Sequence, residues 1–90
     1  MVYEKMTYDE FAKAIKNGAP IPHGLPNYYG EIDDEMMLPP KDVADAIGVH
    51  EETVRRWILA KKIPATGYSR KKIKGIDVKR YTWIKDRKWL

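Results

Sequence analysis

The chain contains no cysteine, which excludes a disulfide framework and a thiolate metal site and suits a reducing compartment. It has no apolar run near the roughly 20 residues of a membrane span, and no signal-peptide pattern opens it. A soluble cytoplasmic protein is expected. Serine occurs once, as Ser69, in a basic turn without a nearby base, which is a poor setting for a nucleophile. His23 and His50 lie far apart, so zinc is not expected. No glycine-rich phosphate loop is present. Ninety residues make one small domain with a modest core and little room for an enclosed enzyme pocket. Catalysis, a cofactor and a resident metal are all unexpected.

What is present is charge, unevenly spread. Residues 1–52 carry 4 Lys/Arg against 11 Asp/Glu, a balance of −7, whereas residues 53–90 carry 13 against 2, a balance of +11. Basic surfaces are common, but a segregation this strong points to a polyanion partner for the second half.

The stretch from Pro40 to Leu59 organises the rest. Val43, Ala44 and Ile47 share one face of a short helix, and Gly48 ends it where a left-handed residue is needed. Val49 fills the corner. Val54, Trp57 and Ile58 repeat the pattern on a second helix. Two short helices with a tight turn make a helix-turn-helix, whose second helix fits the DNA major groove. An ordinary helical hairpin in a bundle is the plainer reading of this segment alone.

Around it, Thr7 and Glu10 form a capping box for an N-terminal helix carrying Phe11, Ala12, Ile15 and Tyr8 and stopped by Gly18. That helix is too short to stand undocked. Residues 19–39, with four prolines, read as an extended connector, Tyr28 and Tyr29 covering core edges and Glu31, Asp33, Asp34 and Glu35 solvated. Beyond the helix pair, Ile63, Ala65 and Tyr68 alternate as a strand, and Ile73 to Ile76 returns as its partner. The tip of that hairpin holds Arg70, Lys71 and Lys72. Asp77 then caps a last helix, Val78 to about Lys88, with Val78, Tyr81, Ile84 and Trp89 as its core face; Trp83 and Leu90 are left to meet the N-terminal helix or a second subunit.

Helix, turn, tryptophan-bearing helix, Ile-Pro, basic hairpin, helix: from Leu38 to Leu90 this order resembles the winged helix-turn-helix of excisionases and MerR-like regulators. The strongest pieces are LPPKDVADAIGV, TVRRWI and KKIPA. Small phage DNA-packaging subunits share a similar domain. Three positions depart from the pattern: Pro39 stands where Ser or Thr usually precedes the first helix, His50 where Ser usually starts the second, and Lys61 where Gly commonly stands near its end. The expected fold is mainly α with a small β-hairpin wing, a winged helix-turn-helix over 38–90 preceded by a helix and acidic connector over 1–37.

The resemblance implies a recognition helix in the major groove of double-stranded DNA and a wing on phosphates or the minor groove. His50, Glu51, Glu52, Thr53, Arg55 and Arg56 are the candidate helix contacts, Lys61 and Lys62 candidate phosphate contacts, and Arg70, Lys71, Lys72 and Lys74 the wing set. It further implies a small architectural factor or transcription regulator of prokaryotic, phage or mobile-element setting, partnered by a recombinase, polymerase or terminase, with a homo-oligomer on DNA as a further option. Two rivals stand beside this. One is a protein-interaction module with an acidic active surface. The other is a single-strand or RNA binder using the tail Lys79–Trp83.

Overall fold

A computed structural model describes residues 3–90; of the N-terminal segment 1–37, Met1 and Val2 lie outside the described residues. Helix α1 (Tyr8–Lys16) begins as its sequence dictates. The Glu10 amide donates to Thr7 Oγ1 and the Thr7 amide to the Glu10 carboxylate, both at 3.2 Å. At its other end Gly18 takes φ 97°, and the amides of Gly18 and Ala19 return to Ile15 and Ala14.

The connector is more ordered than an extended reading allows. It contains one helical turn, α2 (Tyr28–Glu31), and a two-residue strand, β1 (Met37–Leu38). Tyr28, Tyr29 and Ile32 are buried in the core instead of trimming its edge. Two of the four acids are engaged: Asp34 accepts from Tyr8 Oη at 2.9 Å and pairs with Lys79, and Glu35 pairs with Lys74. Among the described residues no group of acids or histidines could hold a metal ion.

Helices α3 (Pro40–Ile47) and α4 (Glu51–Leu59) match the expected pair, with Gly48 left-handed at φ 77° between them. Pro39 caps α3 by backbone conformation alone and Pro40 occupies the first turn, where a missing N–H leaves nothing unsatisfied. Val43, Ala44 and Val54 are buried where the two helices cross.

The small sheet differs from the expected hairpin. Strand β2 (Ile73–Lys74) pairs antiparallel with β1, Leu38 facing Ile73 and Met37 facing Lys74, and the stretch from Ile63 to Tyr68 contributes only a bridge between Thr66 and Lys72. Buried Ile63 and Ile73 root the two ends of the basic loop.

Helix α5 (Gly75–Asp86) starts two residues before the expected cap, so Asp77 lies inside its first turn; a 3-10 turn, Arg87–Trp89, follows. Gly75 is a point of backbone contact: a Cβ there would stand 1.9 Å from the Asp33 carbonyl oxygen. The expected core face of α5 is corrected as well. Trp83 is 1% exposed, while Ile84 and Trp89 are 58% and 80% exposed. Helix α5 is covered on more than one side, which defeats a single-face wheel. Trp83 stacks on Phe11 at 4.4 Å between ring centres and its Nε1 donates to the Met6 carbonyl. The N-terminal helix is thus docked on α5. One buried cluster runs from Tyr8 and Phe11 through Tyr29 and Trp83 to Val43, Val54 and Ile73.

Candidate nucleic-acid interface

Burial of Val54, with Trp57 and Ile58 partly covered, orients α4. Its opposite face carries Glu52, Arg55, Arg56 and Leu59, all exposed. Arg55 is held by Glu51 one turn earlier, Nε to carboxylate 3.0 Å, an exposed pair that is easily exchanged for another partner. Arg56 has no ion pair among the described residues. His50 precedes the helix as N-cap without a side-chain bond, so its imidazole is uncommitted. Thr53 is half-buried.

The end of α4 explains the departure at Lys61. The Lys62 amide donates to the Trp57 carbonyl at 2.9 Å and the Lys61 amide to that of Ile58 at 3.0 Å, which places Lys61 in the left-handed conformation at φ 57°. Glycine suits that position best. A lysine there is held against its backbone preference, and both Lys61 and Lys62 are exposed directly after α4.

The basic loop follows. Mutual hydrogen bonds of 2.8 and 2.9 Å between Thr66 and Lys72 close it, and Gly67 at φ 103° turns it. Arg70, Lys71 and fully exposed Tyr68 stand on its tip. Tyr68 thus lies in the turn and not in the strand expected from its alternation with Ile63 and Ala65; its place directly after a glycine is the turn signal. Lys72 and Lys74 sit lower, lining a shallow concavity with Glu35, Met37 and Asp77, and Lys74 pairs with Glu35 at 3.2 Å.

Three cations of α5 and the turn after it are taken up within the fold. Lys79 is buried, with Nζ donating to the Ile32 carbonyl at 2.6 Å and to Asp34 at 2.7 Å. Arg80 forks Asp9 with two bonds of 3.1 Å, and Arg87 donates to the Met6 carbonyl at 2.9 Å. Burial works against the charge on Asp34, but the hydrogen bonds from Lys79 and Tyr8 outweigh it and hold the carboxyl below its usual range. In the tail Lys79–Trp83, Lys79, Thr82 and Trp83 are buried, Tyr81 is half-buried and Arg80 is exposed.

Tyr28 and Tyr29 both donate to Asp86, Tyr29 at 2.8 Å. Burial, with the hydrogen bond to Asp86, pushes Tyr28 up to about 12. Burial drives Tyr29 and Tyr8 well above the ordinary tyrosine range, with Asp34 adding to the effect at Tyr8.

No helix among the described residues is long and apolar enough to cross a membrane. Among curated proteins and among solved structures none matches the chain. The helix-turn-helix domain family matches residues 37–86, from β1 to the last residue of α5. That span covers more than half of the chain and includes both crossing helices, the basic loop and the helix behind them. The chain belongs to the helix-turn-helix domain family, a DNA-binding fold.

Proposed function

We propose that this protein is a non-enzymatic binder of duplex DNA with sequence preference, reading base edges in the major groove through α4 and reaching phosphates or the minor groove through the loop 66–72. The observation that carries this reading is the outward face of α4. Arg55 and Arg56 are exposed there, Lys61 and Lys62 follow at its end, and among the described residues only Arg55 of these four has an ion pair, with Glu51 one turn earlier on the same helix. An arginine can fork guanine O6 and N7, and a glutamate can accept from cytosine N4. Glu51 and Glu52 fit the second role, and displacement of Arg55 from Glu51 would free both groups at once. His50 and Thr53 flank the base-reading residues at the start of the helix. Lys61, Lys62, Arg70 and Lys71 are phosphate contacts that position the helix without carrying base information. Lys72 and Lys74 belong to the foot of the loop and contribute field more than contact.

The setting proposed is a small excisionase-like or MerR-like architectural factor or regulator of a phage or mobile element, working beside a recombinase, polymerase or terminase. Support for that setting is the resemblance of LPPKDVADAIGV, TVRRWI and KKIPA alone.

One mobility-shift titration with duplex, single-stranded and no competitor DNA tests the reading. Duplex should compete far better than an equal length of single strand. Equal competition by both would contradict major-groove readout, and no retained complex would remove the DNA role.

A further inference from the structure

Two exposed patches stand toward opposite ends of α5, and they are complementary. Toward the C-terminal end, Trp57 and Tyr81 meet at 4.7 Å between ring centres. With Thr82 and Ile84 they floor a groove of about 360 Å³ whose charged lining is Lys85 and Lys88 alone. Ile84 is exposed, and neither lysine has an ion pair among the described residues. At the N-terminal end, the amides of Gly75 and Ile76 donate to the carbonyls of Met36 and Asp34, which fixes the acidic turn 33–37 against the start of the helix. Met36 and Met37, both exposed, directly follow Glu35 in that turn, and Asp33 and Glu35 are exposed as well. Glu35 has Lys74 as a partner but is 84% exposed, so it remains approachable.

The geometry points to a head-to-tail contact between copies of this chain, in which the acidic methionine turn of one copy seats in the basic aromatic groove of the next. Methionine suits such a groove, because its unbranched side chain adapts to irregular apolar surfaces and its sulfur packs favourably on aromatic rings. Asp33 and Glu35 of the arriving copy bring the opposite charge to Lys85 and Lys88. Helix α5 has 12 residues, about 18 Å of axis, and holds the two patches of one molecule apart, so only a second copy can join them. A contact between two different patches is heterologous and continues from copy to copy instead of closing as a dimer. The patches are small compared with the roughly 1,200–2,000 Å² of a standard interface, so free copies associate weakly and lose the contact as salt is added. Copies held side by side on one polymer would gain from their raised effective concentration.

The test needs no DNA and is therefore separable from the DNA-binding reading. Sedimentation equilibrium in low salt, at up to about 1 mM protein, reaches the range where a millimolar contact is half-occupied. The wild-type average mass should rise with concentration without levelling at a dimer. Ile84→Glu, which spoils the groove, and Met36→Arg with Met37→Arg, which spoils the turn, should each remain monomeric. All three positions are exposed, and circular dichroism checks that the fold is kept. Mixed one to one, the two variants should form a dimer and nothing larger, since each keeps the half the other lost. Lys85→Glu with Lys88→Glu gives a second route to a spoiled groove and should act like Ile84→Glu. A wild type that stays monomeric, variants that associate unchanged, or a mixture that stays monomeric each overturns the proposal.

Discussion

Lys79, Arg80 and Arg87 are as basic as Arg56, Lys61 and Lys62, yet the two groups stand in different states. The first three face the N-terminal half and are bound by Asp34, Asp9 and the carbonyls of Ile32 and Met6. The second three face solvent on and after α4 with no ion pair among the described residues. Part of the acid-base segregation along the chain is therefore internal adhesion, and only the remainder is offered to a polyanion. The regions also differ in what they bury. On the N-terminal side the core is aromatic and hydroxyl-bearing, from Tyr8, Phe11, Tyr28, Tyr29 and Trp83; around the helix pair it is aliphatic, from Val43, Ala44, Val54, Ile63 and Ile73. The first arrangement ties a brace to α5, and the second leaves α4 with a free face.

The largest expected effect separates the regions by pH. Tyr8, Tyr28 and Tyr29 have folded-state pKa values raised above the ordinary 10.0. Their contribution to stability is complete below about pH 10 and is lost as pH rises through the folded values. Thermal melts should fall steeply above pH 10, with Trp83 fluorescence reporting loss of the N-terminal packing. Tyr28→Phe should make that fall shallower, because one of the three raised hydroxyls no longer titrates. A melting temperature flat to pH 12 would show that these tyrosines are not held neutral by burial.

Next in size is the contrast between two tryptophans. Trp83→Ala should destabilise by about 3–5 kcal/mol, as for a fully buried aromatic. Trp57 is only partly buried against Tyr81, so its truncation should cost about 2 kcal/mol or less. Equal losses in urea melts would place the centre of the core elsewhere. Gly75→Ala tests the close approach that joins the two regions. Its Cβ must displace the Asp33 backbone, at a cost of about 1–3 kcal/mol in the same melts. A neutral result would mean the turn 33–37 yields freely.

The smallest effect is a gain. Lys61→Gly removes a left-handed non-glycine residue and should stabilise by about 1 kcal/mol. Unchanged stability would show that the end of α4 relaxes without strain.

How far the sequence revealed the molecule follows from how local each signal was. The bounds of α3 and α4, the Gly48 turn and the Thr7–Glu10 box were all readable, because each depends on residues within one or two turns of helix. The face of α5 was not. It packs against the N-terminal elements and also toward Trp57, so its apolar residues lie all round and no stripe distinguishes Trp83 from Ile84. The pairing of Met37 and Leu38 with Lys74 and Ile73 was hidden for a related reason: two-residue strands have no period, and their partners are distant in the chain. On the candidate interface, the positions on α4 could be placed on the outward face from the 3.6-residue period. Their electrostatic state could not, since the bonds of Lys79 to Asp34 and Arg80 to Asp9 span long stretches of chain.

The measurement that bears most directly on the division between engaged and free cations is the salt dependence of duplex binding, compared across single charge removals. Each lost phosphate contact should reduce the log–log slope by about 0.9. Arg56→Ala and Lys62→Ala should weaken binding, the former by about 1–3 kcal/mol on a preferred site, and Lys62→Ala should lower the slope by close to one contact. Arg80→Ala, whose partner Asp9 is exposed and tolerant of its loss, should leave both affinity and slope nearly unchanged. A slope that falls as much for Arg80→Ala as for Lys62→Ala would contradict the account, because it would show the α5 cations on the DNA and not on the N-terminal half.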